Sequence, residues 1–306
     1  MKNSVVQSLH PAYFSMVMAT GIVAIAAWFL EFKGISLILH YLNMAFYLAL
    51  LAMLVARIFF HGKAIIADLL DYQRGPGYFT FIAGTAIVGN QLVIIENALF
   101  YAKILLWVAL AAWVLITYSF FVVITIKENK PTLDKGINGA WLVIIVSTQA
   151  VSTLMSTLAP DQPFGEFSIF VAMAFYMVGA IMYIYIMSLI IYRLSFFSLK
   201  PDELGAPYWI NMGAAAITTL AGSRLILNID IDTPMGDFIP FLKGFTFFYW
   251  SASTWWIPLM LILGSWRHLF KKVPLPISPQ VITWDTGAWS SPWECTRFVL
   301  FYFQKH

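Results

Sequence analysis

Residues 10–24, HPAYFSMVMATGIVA, and a second stretch at residues 75–90, GPGYFTFIAGTAIVGN, decide how this chain folds. Each opens on a proline beside aromatic residues and continues as an apolar helix with threonine and glycine where a lipid-facing helix would carry leucine. Small residues let helix backbones approach closely, and a hydroxyl in hydrocarbon needs a protein partner or water. Both stretches are therefore expected to be inner helices of a bundle.

The surrounding sequence supplies the rest of that bundle. The 306 residues are 60% hydrophobic and 11% charged, with a mean hydropathy of +0.79, whereas a soluble domain is about 25% charged. A bilayer crossing takes about 20 apolar residues. Apolar runs between charged or Pro/Gly breaks predict eight spans, at about 11–30, 35–60, 77–95, 98–126, 139–159, 166–193, 207–228 and 239–266. The expectation is an all-α polytopic membrane protein, with residues 1–280 as one transmembrane domain of helical hairpins joined by short linkers.

The net charge of +3 is too small, and its basic residues too scattered, for nucleic-acid binding. The single cysteine, Cys295, rules out an intramolecular disulfide and a cysteine metal cage. The N-terminal MKNSVVQSLH does not resemble a cleaved signal and leads directly into a span of full length. Basic residues report orientation instead. With the N-terminus cytoplasmic, twelve lie inside (Lys2, Arg57, Lys63, Arg74, Lys127, Lys130, Lys135, Arg193, Lys200, Arg267, Lys271, Lys272) against four outside (Lys33, Lys103, Arg224, Lys243).

Odd and even spans differ in kind. Even ones are bulky, as in YAKILLWVALAAWVLITYSFFVVITI, while odd ones are small and hydroxylated, as in AGTAIVGNQ, STQAVSTLMST and GAAAITTLAGS. This reads as a repeated hairpin whose first helix faces inward and whose second faces lipid. An alternative, equally consistent with composition, is that Gly and Ser mark tight helix packing without a pore.

On the first reading, the candidate pore-lining residues are Thr20 and Gly21 in the first span, Phe81, Gly84 and Thr85 in the third, Gln149, Ser152 and Thr153 in the fifth, and Thr218 and Gly222 in the seventh. Gln149, Ser152, Thr153 and Ser156 share one helical face by spacing. Hydroxyls and amides replace part of an anion's water shell while releasing it readily. Taken alone, each hydroxyl is as well served by bonding back to its own helix. No Asp or Glu falls in the middle of a span, which favours anions and weakly coupled passage. Arg224 is a candidate for attracting anions, or snorkels to the interface. The histidines show neither metal spacing nor a catalytic constellation, so no catalytic residue, metal or cofactor is expected. Trp250, Trp255 and Trp256 with Pro258 read as lipid-facing and interfacial aromatics plus a kink.

Four separated motifs, HPAYFSMVMATGIVAIA, GYFTFIAGTAIVGNQ, MGAAAITTLAG and FYWSASTWWIPLMLILGSWRH, together resemble the tellurite-resistance/dicarboxylate transporter family, which belongs with the slow-anion channels. The resemblance covers about residues 8–280. It implies ten helices in five hairpins, odd helices lining a central pore, a homotrimer in the plasma (inner) membrane, and small anions such as C4-dicarboxylates, sulfite or tellurite as substrates. It also implies a ninth helix with a pore-plugging phenylalanine before a proline, in a run like VFPLGMY. This chain instead reads VITWDTGAWSSPWECTRFVLFYFQKH from residue 281.

Regrouping the codons of residues 284–300 permits GYWGLVFPLGMYTV in the neighbouring frame, so residues 281–306 are expected to be a frameshifted, Trp-rich tail replacing the ninth and tenth helices. A shortened chain of this kind has a rival reading as a non-transporting structural partner or degenerate product. Sequencing the gene is expected to show FPLGMY in the next frame, and a coding strand that does not spell it ends the frameshift reading.

Overall fold

The computed structural model describes residues 6–162, 165–201 and 204–273, which form helices and turns with no strand among them. Eight long helices carry the architecture: α1 (Ser15–Phe29), α2 (Lys33–Phe60), α3 (Phe79–Glu96), α4 (Leu99–Ile126), α5 (Val143–Leu158), α6 (Gly165–Phe196), α7 (Ile210–Asn228) and α8 (Ile239–Ser265). Among the described residues seven helical stretches are long and apolar enough to cross a membrane, Pro11–Phe29 through Pro207–Asn228. The α8 helix has comparable length, at 27 residues, but Trp, Tyr, Ser and Thr dilute its hydropathy, so its crossing rests on the sequence reading. A short helix missed by that reading, Gly62–Leu69, follows α2. The expected tail at 281–306 lies outside the described residues.

The odd helices pack in an arc, α1 on α3, α3 on α5 and α5 on α7, with each even helix backing its hairpin partner. Burial follows this plan. In the most apolar windows, 94% of the α5 stretch and 78% of the α3 stretch are buried inside the protein, against 11% for α4 and 22% for α2. Outer helices present side chains such as Phe59, Phe60 and Trp107 outward, which suits a lipid solvent and no other.

Each odd helix opens on a tight 3-10 turn: Pro11–Phe14, Gly75–Tyr78, Gly139–Leu142 and Ala206–Trp209. Such turns are short and narrow, and here they let neighbouring chain starts touch backbone to backbone. A Cβ on Gly77 would lie 3.0 Å from the Ala12 nitrogen, and one on Gly139 would collide with the carbonyl of Pro207. Side chains cap two of the turns: His10 Nδ1 accepts from the Ala12 N–H at 3.2 Å and Asn138 Oδ1 from the Ala140 N–H at 2.8 Å.

An arginine at the end of an even helix then clamps the following opening turn. Arg57 donates to the Tyr78 hydroxyl at 3.2 Å, and Arg193 donates to the Tyr208 hydroxyl and, at 2.9 Å, to the Ile137 carbonyl. Arg57 is fully buried and is compensated by Asp68, 2.7 Å away, which also holds Arg74 at 2.7 Å. Removing one partner of a buried pair costs about 3–5 kcal/mol, whereas an apolar replacement of both is far milder. The D68N variant is accordingly expected to lose about 3 kcal/mol of stability by thermal unfolding in detergent, and R57M/D68L less than D68N alone.

Candidate permeation pathway

Two cavities lie end to end inside the arc. The one near the N-terminal end is lined from the opening turns and first halves of all four odd helices, by residues including His10, Ser15, Met18, Thr80, Val143, Val146 and Gly213. The other is lined by Phe29, Asn90, Ile94, Ala150, Thr153, Leu220 and Arg224 among others. They share Ile22, Ile87 and Ile217, one residue each from α1, α3 and α7. Their volumes open to water centres are about 70 and 30 Å³, and a single water needs roughly 10–15 Å³ on that measure. Each cavity can therefore hold a few waters, and three branched aliphatic side chains stand between them.

The lining residues recur at three- and four-residue intervals, for example Val143, Val146, Ala150 and Thr153, so each odd helix turns one continuous face to the axis. That face is mainly aliphatic. Of the residues the sequence singled out, only Thr153 and Arg224 line a cavity. Arg224 is half-buried, with its guanidinium 5.7 Å from the Phe29 ring centroid.

The other candidates sit between helices. Thr85 donates to Phe81 O at 2.8 Å and lies 3.1 Å from the Tyr47 hydroxyl; Thr218 donates to Ala214 O at 2.7 Å. Gln149 Nε2 donates to Tyr176 O at 3.0 Å and Ser152 to Ala172 O at 2.7 Å, both across to α6. Phe81 packs edge-on against Phe14 at 5.1 Å. Gly21 fits against Ile87 and Asn43, Gly84 against Phe14 and Val17, and Gly222 against Thr246 and Tyr176. Thr20 is half-buried and lines neither cavity.

The physical reason is that a hydroxyl facing a neighbouring helix finds a carbonyl there or one turn back in its own. The sequence signal that marks the residues lining the two cavities is the aliphatic stripe at i, i+3 and i+7 on the same helices. One aromatic reading also changes: Trp255 is exposed as expected, but Trp256 is buried, its indole N–H donating to Tyr208 O at 3.3 Å.

No His/Cys/Asp/Glu group that could hold a metal occurs among the described residues. Neither cavity is lined by a carboxylate. His10, at the N-terminal end of the first cavity, lies near Arg74, Arg57, Asp68 and Asp71. Burial, then the nearby Arg74, outweighing Asp68, pushes the pKa of His10 down to about 4.

A polytopic helical bundle with a narrow axial path defines a membrane transporter or channel. The chain belongs to the voltage-dependent anion channel family, whose pattern it matches over residues 8–293. It is similar to an uncharacterized transporter of Methanocaldococcus jannaschii, 23% identical over 280 residues that cover 89% of this chain and 80% of the relative. A second uncharacterized transporter of that archaeon is 20% identical over 295 residues, 94% of this chain and 83% of its own length. An uncharacterized membrane protein of Mycobacterium tuberculosis is 36% identical over 95 residues, 31% of this chain and 47% of that protein.

The cap that His10 provides needs an unprotonated Nδ1. Since its folded pKa lies below the ordinary 6.5, the unfolded chain binds the proton first as pH falls. Stability is therefore expected to decline from about pH 6.5 to about pH 4 and to level off, in this component, below that. The H10N variant, which keeps a capping acceptor but cannot titrate, removes that part of the decline in melting temperatures measured across the window.

Proposed function

We propose that this chain passes small anions along the axis between α1, α3, α5 and α7, with C4-dicarboxylates as the leading substrate class and tellurite or sulfite behind them. The observation that carries this reading is the stacked pair of cavities, lined from odd helices by no carboxylate and by one arginine, Arg224, at the far end. Arg224 in the far cavity disfavours a permeating cation.

At the near end the N-termini of four helices converge, and their backbone dipoles favour a negative solute. In the far cavity Arg224, the Asn90 amide and the Thr153 hydroxyl can replace part of the lost hydration. Between them Ile22, Ile87 and Ile217 form a constriction that excludes water while closed, a gate by dewetting. The resemblance supports an assembly of three copies in the plasma (inner) membrane, and the distribution of basic residues supports a cytoplasmic N-terminus.

Liposome flux of labelled malate, sulfite and chloride tests the proposal. I87S and I217S are expected to raise flux several-fold by wetting the constriction, and R224Q to lower it and weaken selection against cations. No flux of any of these anions through folded, reconstituted wild type would overturn the reading and favour a structural role.

A further inference from the structure

The buried stripe of α2 is polar, although the helix is otherwise among the most lipid-exposed. Ser36, His40, Asn43 and Tyr47 are all buried along one face. Each has a partner on α1 or α3: Ser36 Oγ donates to Ala24 O at 2.8 Å, His40 Nε2 lies 3.0 Å from Glu96 Oε1, Asn43 Nδ2 donates to Gln91 Oε1 at 2.7 Å, and the Tyr47 hydroxyl lies 3.1 Å from Thr85 Oγ1. None of these side chains lines a cavity.

His40 and Glu96 are the titratable members. His40 is wholly buried, while the Glu96 side chain, on the last residue of α3, is 33% exposed at the end away from the N-terminus. With the Nε2–H of a neutral imidazole donated to the carboxylate, Nδ1 keeps a lone pair, and that atom has no hydrogen-bond partner among the described residues. The pair thus has one open position for a proton, and the resulting imidazolium already faces its counter-charge.

Few other ionic groups face it. The turn between α1 and α2 holds the Glu31 and Lys33 pair at 3.3 Å, with Lys33 also bound to Trp28 O at 3.0 Å. The Tyr41 ring lies tilted at 5.3 Å from the His40 ring on the same helix, α1 has no ionisable side chain, and Glu96 is the sole one on α3.

Position connects the pair to the pathway. Glu96 follows Ile94 by two residues on α3, so its side chain turns toward His40 on α2 while Ile94 turns to the far cavity that it lines with Arg224. An ionised Glu96 facing a neutral His40 gives the pair a net negative charge near the outer end of α3; with a proton bound the pair is neutral. The next step along the seam, the Asn43–Gln91 bond, stands directly behind the constriction. A Cβ on Gly21 would lie 2.5 Å from Ile87 Cγ2, 2.9 Å from Asn43 Nδ2 and 3.3 Å from Gln91 Oε1.

We propose that His40 and Glu96 form a proton-binding site, loaded from the membrane face opposite the N-terminus, whose occupation promotes anion passage. The second half of this statement rests on the pathway reading above, and the first half stands without it.

Two measurements separate them. In ¹⁵N-histidine NMR of the purified full chain, with H40Q identifying the signal among five histidines, wild-type His40 is expected to take up a proton on acidification. In E96Q, whose amide offers no counter-charge, it is expected not to do so over the same range. Absence of uptake by wild-type His40, or identical titrations in wild type and E96Q, would overturn the site.

In liposomes, acidifying only the face opposite the N-terminus is expected to raise anion flux roughly two- to fourfold, the size of one partly screened charge near the outer end of α3. H40Q and E96Q should conduct without that response. A response that persists in both variants, or conducting wild type without one, would overturn the link to passage. Wild type that never conducts would sink the pathway reading while NMR still decides the proton site.

Discussion

Inside a bundle solvated by lipid, a polar side chain has no water to fall back on, and nearly everything about this structure follows from where such groups find partners. The threonines and serines of α3, α5 and α7 donate to carbonyls one turn back or on the adjoining helix, as Thr218 does to Ala214 and Ser152 to Ala172. Glycines at the same interfaces bring backbones close enough for these bonds. Gly179, for instance, leaves the room that the Gln149 amide occupies on its way to Tyr176 O. With most hydroxyls committed sideways, the cavities are lined mainly by isoleucine, valine and alanine.

An aliphatic axis changes how passage should be pictured. Anions are not handed along a file of hydroxyls. On the proposed pathway they would meet two small cavities that share Ile22, Ile87 and Ile217, with favourable electrostatics at the two ends instead of throughout. In that proposal helix dipoles would serve one end and Arg224 the other. Membership of the voltage-dependent anion channel family agrees with this division, since weak contact in the middle permits release as well as capture.

The repeated hairpin is visible in small details as well as in the arc. Four 3-10 openings abut one another, and the pairs Arg57 with Tyr78 and Arg193 with Tyr208 tie the end of an outer helix to the start of the next inner one. These ties fix the register of each hairpin against its neighbour at the end where the chain crosses from outside to inside the arc. Burial at these positions makes them sensitive to the loss of a single partner.

Much of the fold was legible in the chain itself. Length and hydropathy of each run set the helices, because a bilayer accepts little else, and the contrast between YAKILLWVALAAWVL and STQAVSTLMST set which helices lie inside. Arg224 and Thr153, which stand out in sequence against apolar neighbours, line the far cavity. What only the tertiary structure decided was the rotation of each inner helix about its axis. Thr85, Gln149 and Thr218 could have faced an aqueous path or another helix with equal satisfaction, and sequence spacing is the same in both cases. The pairing of His40 with Glu96, fifty-six residues apart, and the meeting of Ile22, Ile87 and Ile217 between the two cavities depended likewise on which helices became neighbours, a matter of packing that no local pattern records.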